Sequence, residues 1–269
     1  MDRTVGLLTE TDPICDDWIR FANELGERTQ NWADGRMSIP AAKWTAEERD
    51  VFEDAGRAMS SAADLFESLL TEAKHIVVQE LVAQTVVYFR TYAQRVPNYV
   101  ESDRLISGAA FNFMNAVTHM CSTSMRATEF SQDSISSSST TENPSALHMV
   151  VKDSDPVCAE FARLNEQEDL FLSGWMATAD ATVPAVQWNS EDKALFKSVE
   201  SVLKDSLPQY QRVAEAAKGR VLGDFLFTIA AYRKAFIGRI PSYEPADADL
   251  WTVITSIGGG VSAACGDRS

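Results

Sequence analysis

The sequence contains the same pattern of residues twice. Residues 12–121 align with residues 155–265, with a single one-residue difference in length. Aligned residues lie 143 positions apart at first, as Trp32 and Trp175 do, and 144 apart later, as Tyr88 and Tyr232 do. Solenoid repeats have periods of roughly 20 to 50 residues, so a period this long indicates a duplicated domain.

Length and charge restrict what the two copies can be. The chain has 269 residues, and each copy is long enough to bury a core of its own. A net charge of −15 disfavours a nucleic-acid surface and docking on anionic lipid, both of which require basic patches. The simplest reason for this acidity is that it keeps the protein soluble.

The hydrophobic segments are too short to cross a membrane. No stretch approaches the roughly 20 apolar residues that a spanning helix requires. Residues 1–8 also lack the apolar run of a signal peptide.

Each copy has the pattern of four helices. Asp-Pro pairs at 12–13 and 155–156 suit the first turn of helix one, because aspartate caps free amides and proline fits there. Thr45 with Glu48, and Asn189 with Asp192, form capping boxes that start helix two. Helix three is predicted over about 75–96 and 220–240, each ending at a proline, and helix four starts near Asp103 and Asp247.

Two features occur in the second copy alone. Pro208 lies inside predicted helix two, where proline should kink or break the helix. Three consecutive glycines, 258–260, lie in helix four and each disfavours a helix by about 1 kcal/mol relative to alanine. A close helix contact or a local break is expected at these glycines.

The copies are joined by a segment rich in serine and threonine. These two residue types make up more than half of residues 122–145. We interpret the segment as a flexible or loosely packed linker, with glycosylation as an alternative use. The predicted domains are therefore 1–121, a linker over 122–153, and 154–269.

Four cysteines occupy equivalent places in the two copies. Cys15 and Cys158 lie at the start of helix one, and Cys121 and Cys265 lie at the end of helix four. In an up-down-up-down bundle these two places are at the same end. We therefore predict disulfides Cys15–Cys121 and Cys158–Cys265, with four free thiols as the alternative.

Structural disulfides indicate an oxidising cellular compartment. They persist outside the reducing cytosol, so the predicted location is extracytoplasmic. The expected export signal or membrane anchor would then lie outside the sequence shown.

The ordered landmarks of both copies resemble those of a known family. They are Asp-Pro-x-Cys, Trp, Ile/Val-Pro, Trp-Thr/Asn-x-Glu, Tyr-x-x-x-Phe/Tyr, Pro-x-Tyr, Asp and a closing Cys. This order resembles an uncharacterised family of actinobacterial, chiefly mycobacterial, exported or membrane-anchored helical proteins. The resemblance covers both copies without the linker and termini, and it implies a helical protein of the cell envelope with no known activity.

Catalytic and metal-binding patterns are weak. Glu72 and His75 have the Glu-x-x-His spacing of di-metal bundles, but His119 has Ala116 where the second glutamate is required. The sequence has no Gly-x-Ser-x-Gly elbow and no His-Glu-x-x-His motif. We predict no cofactor, no metal site and no enzymatic activity.

The turn between helices three and four carries the best candidates for recognition. Arg95, Tyr99 and Asp103 in the first copy correspond to Arg239, Tyr243 and Asp247 in the second. An arginine–carboxylate pair that fixes the turn is one interpretation. The alternative is a surface cluster that binds a partner.

These observations predict an all-α protein of two tandem four-helix bundles, each closed by a disulfide. The predicted function is a non-enzymatic extracytoplasmic binding, sensing or scaffold domain, whose partner is a protein or an envelope component. Two alternatives stay open. A carrier for a lipid or other apolar molecule requires a continuous apolar cavity, and a carboxylate-dependent enzyme requires a cleft with two acidic residues of displaced pKa.

Overall fold

Helices account for most of the residues that the structure describes. The computed structural model describes residues 3–33, 38–130, 135–149 and 155–266. Its α-helices are α1 Cys15–Ala33, α2 Ala46–Leu69, α3 Ile76–Arg95, α4 Arg104–Ser124, α5 Pro156–Thr178, α6 Ser190–Ala216, α7 Val221–Arg239 and α8 Ala248–Ala264. Two short strands, β1 Thr4–Val5 and β2 Ser137–Ser138, pair antiparallel. The predicted all-α class is confirmed.

The start of the second helix in each half follows the sequence signal. The Thr45 hydroxyl accepts from the Glu48 amide at 3.1 Å, and the Glu48 carboxylate accepts from the Thr45 amide at 2.8 Å. Asn189 and Asp192 make the same reciprocal bonds. These bonds satisfy amides that have no partner within the helix, so α2 and α6 begin at aligned positions.

The helices pack in the same order in each half, and the halves pack on each other. α1 contacts α2 and α4, and α3 lies between α2 and α4; α5 to α8 repeat these contacts. The most extensive contact joins α4 to α8, and α3 also contacts α7. One continuous hydrophobic core runs through both halves. The division into two separate bundles therefore stays a prediction.

Both predicted disulfides are present. Cys15 bonds Cys121 and Cys158 bonds Cys265, with Cα atoms 5.5 and 5.6 Å apart. They close loops with sequence separations of 106 and 107 residues. In the chain-entropy account a loop of this size stabilises the fold by up to about 4.7 kcal/mol.

The glycines of α8 allow a close approach to α4. A Cβ atom on Gly260 would lie 2.4 Å from Cε1 of Phe113, and one on Gly259 would lie 2.9 Å from Oδ1 of Asn112. The expected close contact is confirmed, and α8 continues through the glycines without a break. α6 likewise continues through Pro208, so the predicted break does not occur there.

Part of the Ser/Thr-rich segment is buried against the helices, and the linker over 122–153 stays a prediction. Ser139 and Thr141 are buried, and their hydroxyls donate to Oδ2 of Asp224 at 2.5 and 2.9 Å. The Arg3 guanidinium donates to both of their carbonyls. Hydroxyl side chains here act as donors to a buried carboxylate, which composition does not reveal. Residues 131–134 and 150–154 lie outside the described residues.

Candidate functional sites

The predicted turn cluster of the second half binds its own chain. Nε of Arg239 donates to Oδ2 of Asp247 at 3.0 Å, and Oδ1 of Asp247 lies 3.1 Å from the Arg126 guanidinium. Nη2 of Arg239 lies 3.6 Å from the Glu129 carboxylate. Asp247 is fully buried and Tyr243 is 2% exposed. The arginine–carboxylate pair therefore fixes this turn and attaches the segment after α4.

The corresponding turn of the first half contains no such ion pair. Asp103 and Tyr99 are buried, and Oδ2 of Asp103 accepts from the Val100 amide at 2.9 Å. Arg95 is exposed and makes no ion pair with Asp103. Tyr99, Asp103, Tyr243 and Asp247 are buried, whereas Arg95 is exposed. Partner recognition at this turn stays a prediction for the exposed Arg95.

Glu72 and His75 do not converge on a shared site. Glu72 is exposed, whereas His75 is 4% exposed and precedes α3. The His75 amide donates to Oδ2 of Asp12 at 2.8 Å, which ties the start of α1 to the start of α3. Within the described ranges, no group of three or more His, Cys, Asp or Glu side chains could hold a metal ion.

Two buried carboxyl groups meet between the halves. Glu80 on α3 and Asp224 on α7 occupy aligned positions, and both are buried. Burial raises the pKa of Glu80 well above its usual range, and the nearby Asp224 carboxylate raises that pKa further. Asp224 accepts bonds from Ser139 and Thr141, and the Glu80 carboxyl group lies close enough to interact with Asp224 and Thr141. Glu80 therefore keeps its proton to a higher pH than an exposed glutamate does.

A cavity of about 250 Å³ lies among α5, α6, α7 and α8, and most of its surface is apolar. Its walls combine apolar side chains with titratable ones, which is unusual for the interior of a helical half. The polar lining comes from Asn165, Glu168, Asp169, Tyr210, Arg233, Thr255 and Ser262. An adjoining cleft of about 440 Å³ between α5 and α8 shares Asn165, Asp169 and Ser262 with it.

The buried charges of the cavity form one network. Nη1 of Arg233 donates to the Glu168 carboxylate at 2.5 Å, and the two side chains are only 5% and 8% exposed. The Tyr210 hydroxyl donates to Glu168 at 3.0 Å and lies 2.7 Å from Oδ1 of Asn165. Nε of Arg233 is buried and has no partner. Desolvation, with the neighbouring Glu168 charge, raises the pKa of Asp169.

The first half has apolar residues at the same positions. Leu25, Phe66 and Phe89 align with Glu168, Tyr210 and Arg233. All three are buried; the Phe66 ring lies 6.3 Å from that of Phe89 and 4.3 Å from that of Trp18. The same scaffold is thus filled with aromatic rings in one half and carries a charged network in the other.

Sequence reasoning missed this site, although its signal was present. Glu168 and Arg233 are charged residues at positions where the aligned copy has leucine and phenylalanine. Each falls on the buried face of its predicted helix. A comparison of the copies for their differences, instead of their shared landmarks, would have found the pair.

The outer face of α5 exposes large apolar side chains. Leu170 is 77% exposed and Phe171 is 69% exposed. The aligned residues on α1 are Glu27 and Arg28, both exposed and charged. A groove of about 520 Å³ between α5 and α6 runs beside these side chains, with apolar walls from Leu164, Leu170, Phe171 and Val202. Within the described residues, no helix is both long enough and apolar enough to cross a bilayer.

These features define a disulfide-bonded, all-helical protein with aligned structural elements in its two halves. A family model described as "Mycobacterial ESX-1 associated protein" matches residues 2–269. The chain belongs to this family. The resemblance to uncharacterised mycobacterial proteins is thereby confirmed, whereas the ordered landmarks as a family signature stay a prediction.

The chain is also similar to an uncharacterised mycobacterial protein. The chain is 25% identical over 254 residues to an uncharacterised protein of Mycolicibacterium smegmatis (strain MKD8). The aligned region covers 91% of this chain and 67% of the relative. No solved structure matches the chain.

Proposed function

We propose that this protein is a non-enzymatic extracytoplasmic binding domain that acts with the ESX-1 system by docking a protein partner on α5. The observation that carries the proposal is the exposed pair Leu170 and Phe171. At the aligned positions of α1 the same fold has Glu27 and Arg28, so a solvated charged face is compatible with the scaffold. An exposed apolar patch beside a groove is typical of a protein interface.

The family description and the disulfides support the location and the type of partner. The description "ESX-1 associated" favours a secretion-related role with protein partners. The two disulfides are compatible with a compartment outside the cytosol. We also propose that the halves arose by duplication as two four-helix bundles, which aligned elements such as the Ala41–Lys43 and Ala185–Gln187 turns support.

The alternatives receive less support. A carrier of apolar molecules needs an apolar cavity, but the cavity among α5 to α8 contains Glu168 and Arg233. A carboxylate-dependent enzyme needs a cleft with two acidic residues of displaced pKa; Asp169 has a raised pKa there, but Glu168 is bound to Arg233 and Tyr210. Glu80 and Asp224 are enclosed between α3 and α7.

A complementation experiment tests the proposal in a mycobacterial strain that lacks the protein. Leu170→Glu with Phe171→Arg gives α5 the charges of α1. We expect this double variant to fold, to be recovered outside the cytosol with its disulfides, and to fail to restore ESX-1-dependent secretion. The matched control, Glu27→Lys with Arg28→Glu, changes the aligned face of α1 and should restore secretion fully.

Different results would contradict different parts of the proposal. Normal secretion in the deletion strain would contradict the role with ESX-1. Full complementation by the α5 double variant would contradict docking on α5. Recovery of the wild-type protein in the cytosol with reduced cysteines would contradict the proposed location.

A further inference from the structure

The cavity of the second half is a candidate site for a small molecule; Glu168 lines both this cavity and the groove beside the docking face of α5. We infer that it binds a neutral, hydroxyl-rich compound of the size of a monosaccharide or a cyclic polyol. The inference starts from the buried network of Arg233, Glu168 and Tyr210, and it does not depend on the proposed partner.

Stability alone does not account for this network. Replacing a buried ion pair by apolar residues of similar size is often neutral or stabilising. In the first half, Leu25, Phe66 and Phe89 fill these positions in the same scaffold. Buried charges that the fold does not need are typical of a binding site.

The charges of the cavity select against an ionic ligand. An anion that approached Arg233 would lie against the carboxylates of Glu168 and Asp169. A cation would lie near the positive charge of the Arg233 guanidinium, which also lines the cavity. A neutral hydroxyl group avoids both repulsions, because it accepts from the guanidinium and donates to a carboxylate at the same time.

The remaining polar atoms fit the same chemistry. Asn165, with its side chain at the junction of cavity and cleft, keeps one donor and one acceptor site beyond its bonds to Ser262 and Tyr210. Ser262 and Thr255 add hydroxyl groups on α8. A ligand with several hydroxyls could therefore satisfy groups on both sides of the cavity.

Aromatic side chains and glycines line the remaining wall of the cavity. Phe161 and Trp251 present aromatic surface to the cavity, where the C–H face of a saturated ring can pack. Gly258 and Gly259 line it from α8, and the aligned residues of α4 are Met114 and Asn115. The glycines present no side chain to the cavity, whereas Met114 and Asn115 line an open cleft between α1 and α4 in the first half.

The experiment uses the full disulfide-bonded chain and calorimetric titration with defined probes. Glucose, mannose and myo-inositol represent the inferred class; alanine, putrescine and benzoate represent zwitterions, cations and anions. We expect at least one of the hydroxyl-rich probes to bind and to raise the melting temperature, and the charged probes to give no heat.

Two variants locate the site. Glu168→Leu, Tyr210→Phe and Arg233→Phe together give the cavity the residues of the first half, and should weaken binding at least tenfold without lowering the melting temperature. Gly258→Met keeps the charged network and fills the space; it should weaken binding to the same extent. If the triple variant does not fold, Gly258→Met decides the location.

Three results would overturn the inference. They are no binding of any hydroxyl-rich probe, binding of charged probes alone, and binding that persists in Gly258→Met. None of these results bears on secretion by the α5 variants, so the two proposals fail independently.

Discussion

At the scale of single residues, the most informative position is the one shared by Glu80 and Asp224. The two residues are aligned in the sequence and meet between the halves, but their surroundings differ. Asp224 accepts hydrogen bonds from Ser139 and Thr141, whereas Glu80 is buried beside the Asp224 carboxylate. Desolvation and the charge of Asp224 therefore raise the pKa of Glu80.

This raised pKa makes stability depend on pH. In the unfolded chain Glu80 ionises above its ordinary pKa of about 4.3, whereas in the folded protein it keeps its proton to higher pH. The folded state then binds more protons, so the contribution of Glu80 is complete below about pH 4.3 and decreases as pH rises towards the folded pKa.

We expect Glu80→Gln to be more stable than the wild type near neutral pH. The advantage should decrease towards pH 4, with a slope of at most about 1.4 kcal/mol per pH unit. Denaturant unfolding between pH 4 and pH 8 measures this difference, and Glu72→Gln on the exposed surface is the control. Parallel stability curves for the wild type and Glu80→Gln would contradict the assignment.

At the scale of elements, the contact of α4 with α8 holds the halves together. It depends on glycine, because Phe113 occupies the place where a side chain on Gly260 would lie. His119 adds a polar contact, with Nδ1 2.7 Å from Oδ1 of Asp249. Helix propensity alone disfavours these glycines, so their place in α8 reflects the packing of α4.

We expect Gly260→Ala to lower the free energy of unfolding by about 1 to 3 kcal/mol, because the added methyl group clashes with the Phe113 ring. Gly174→Ala on α5 is the matched control, since no other side chain lies within 4 Å of its Cβ position. The control should be neutral or stabilising by up to about 1 kcal/mol. Equal changes in the free energy of unfolding for the two variants would contradict the close contact between Gly260 and Phe113.

At the scale of the whole molecule, the two halves share one hydrophobic core. Its contact between α4 and α8 is reinforced by α3 with α7 and by residues 135–149. A single core favours cooperative unfolding, whereas two independent bundles would unfold separately.

We expect one calorimetric transition for the oxidised protein. Reduction of both disulfides should lower its midpoint, because each bond is worth about 2 to 5 kcal/mol in small domains. Scans with and without reductant measure both effects. Two resolved transitions in the oxidised protein would instead support the independent domains predicted from the repeat.

Much of this protein is encoded in short stretches of its sequence. The capping boxes at Thr45 and Asn189, the helix-ending prolines and the cysteine pairs were predictable because they follow from hydrogen bonds between near neighbours and from covalent chemistry. Their occurrence in both copies removed most of the ambiguity that single signals leave. The continuity of α6 through Pro208 was not predictable in this way, because packing around a helix can override local propensity.

The tertiary structure alone decided how the two similar halves pack together and which of their residues converge on a cavity. Periodicity predicts that α4 and α8 have a packed face, but the choice of partner depends on the fit of two whole surfaces. The meeting of Glu80 with Asp224, the burial of Ser139 and the convergence of Glu168, Tyr210 and Arg233 on one cavity each join residues distant in sequence. The sequence therefore determined the scaffold, and the packing of its helices decided which residues are placed to bind.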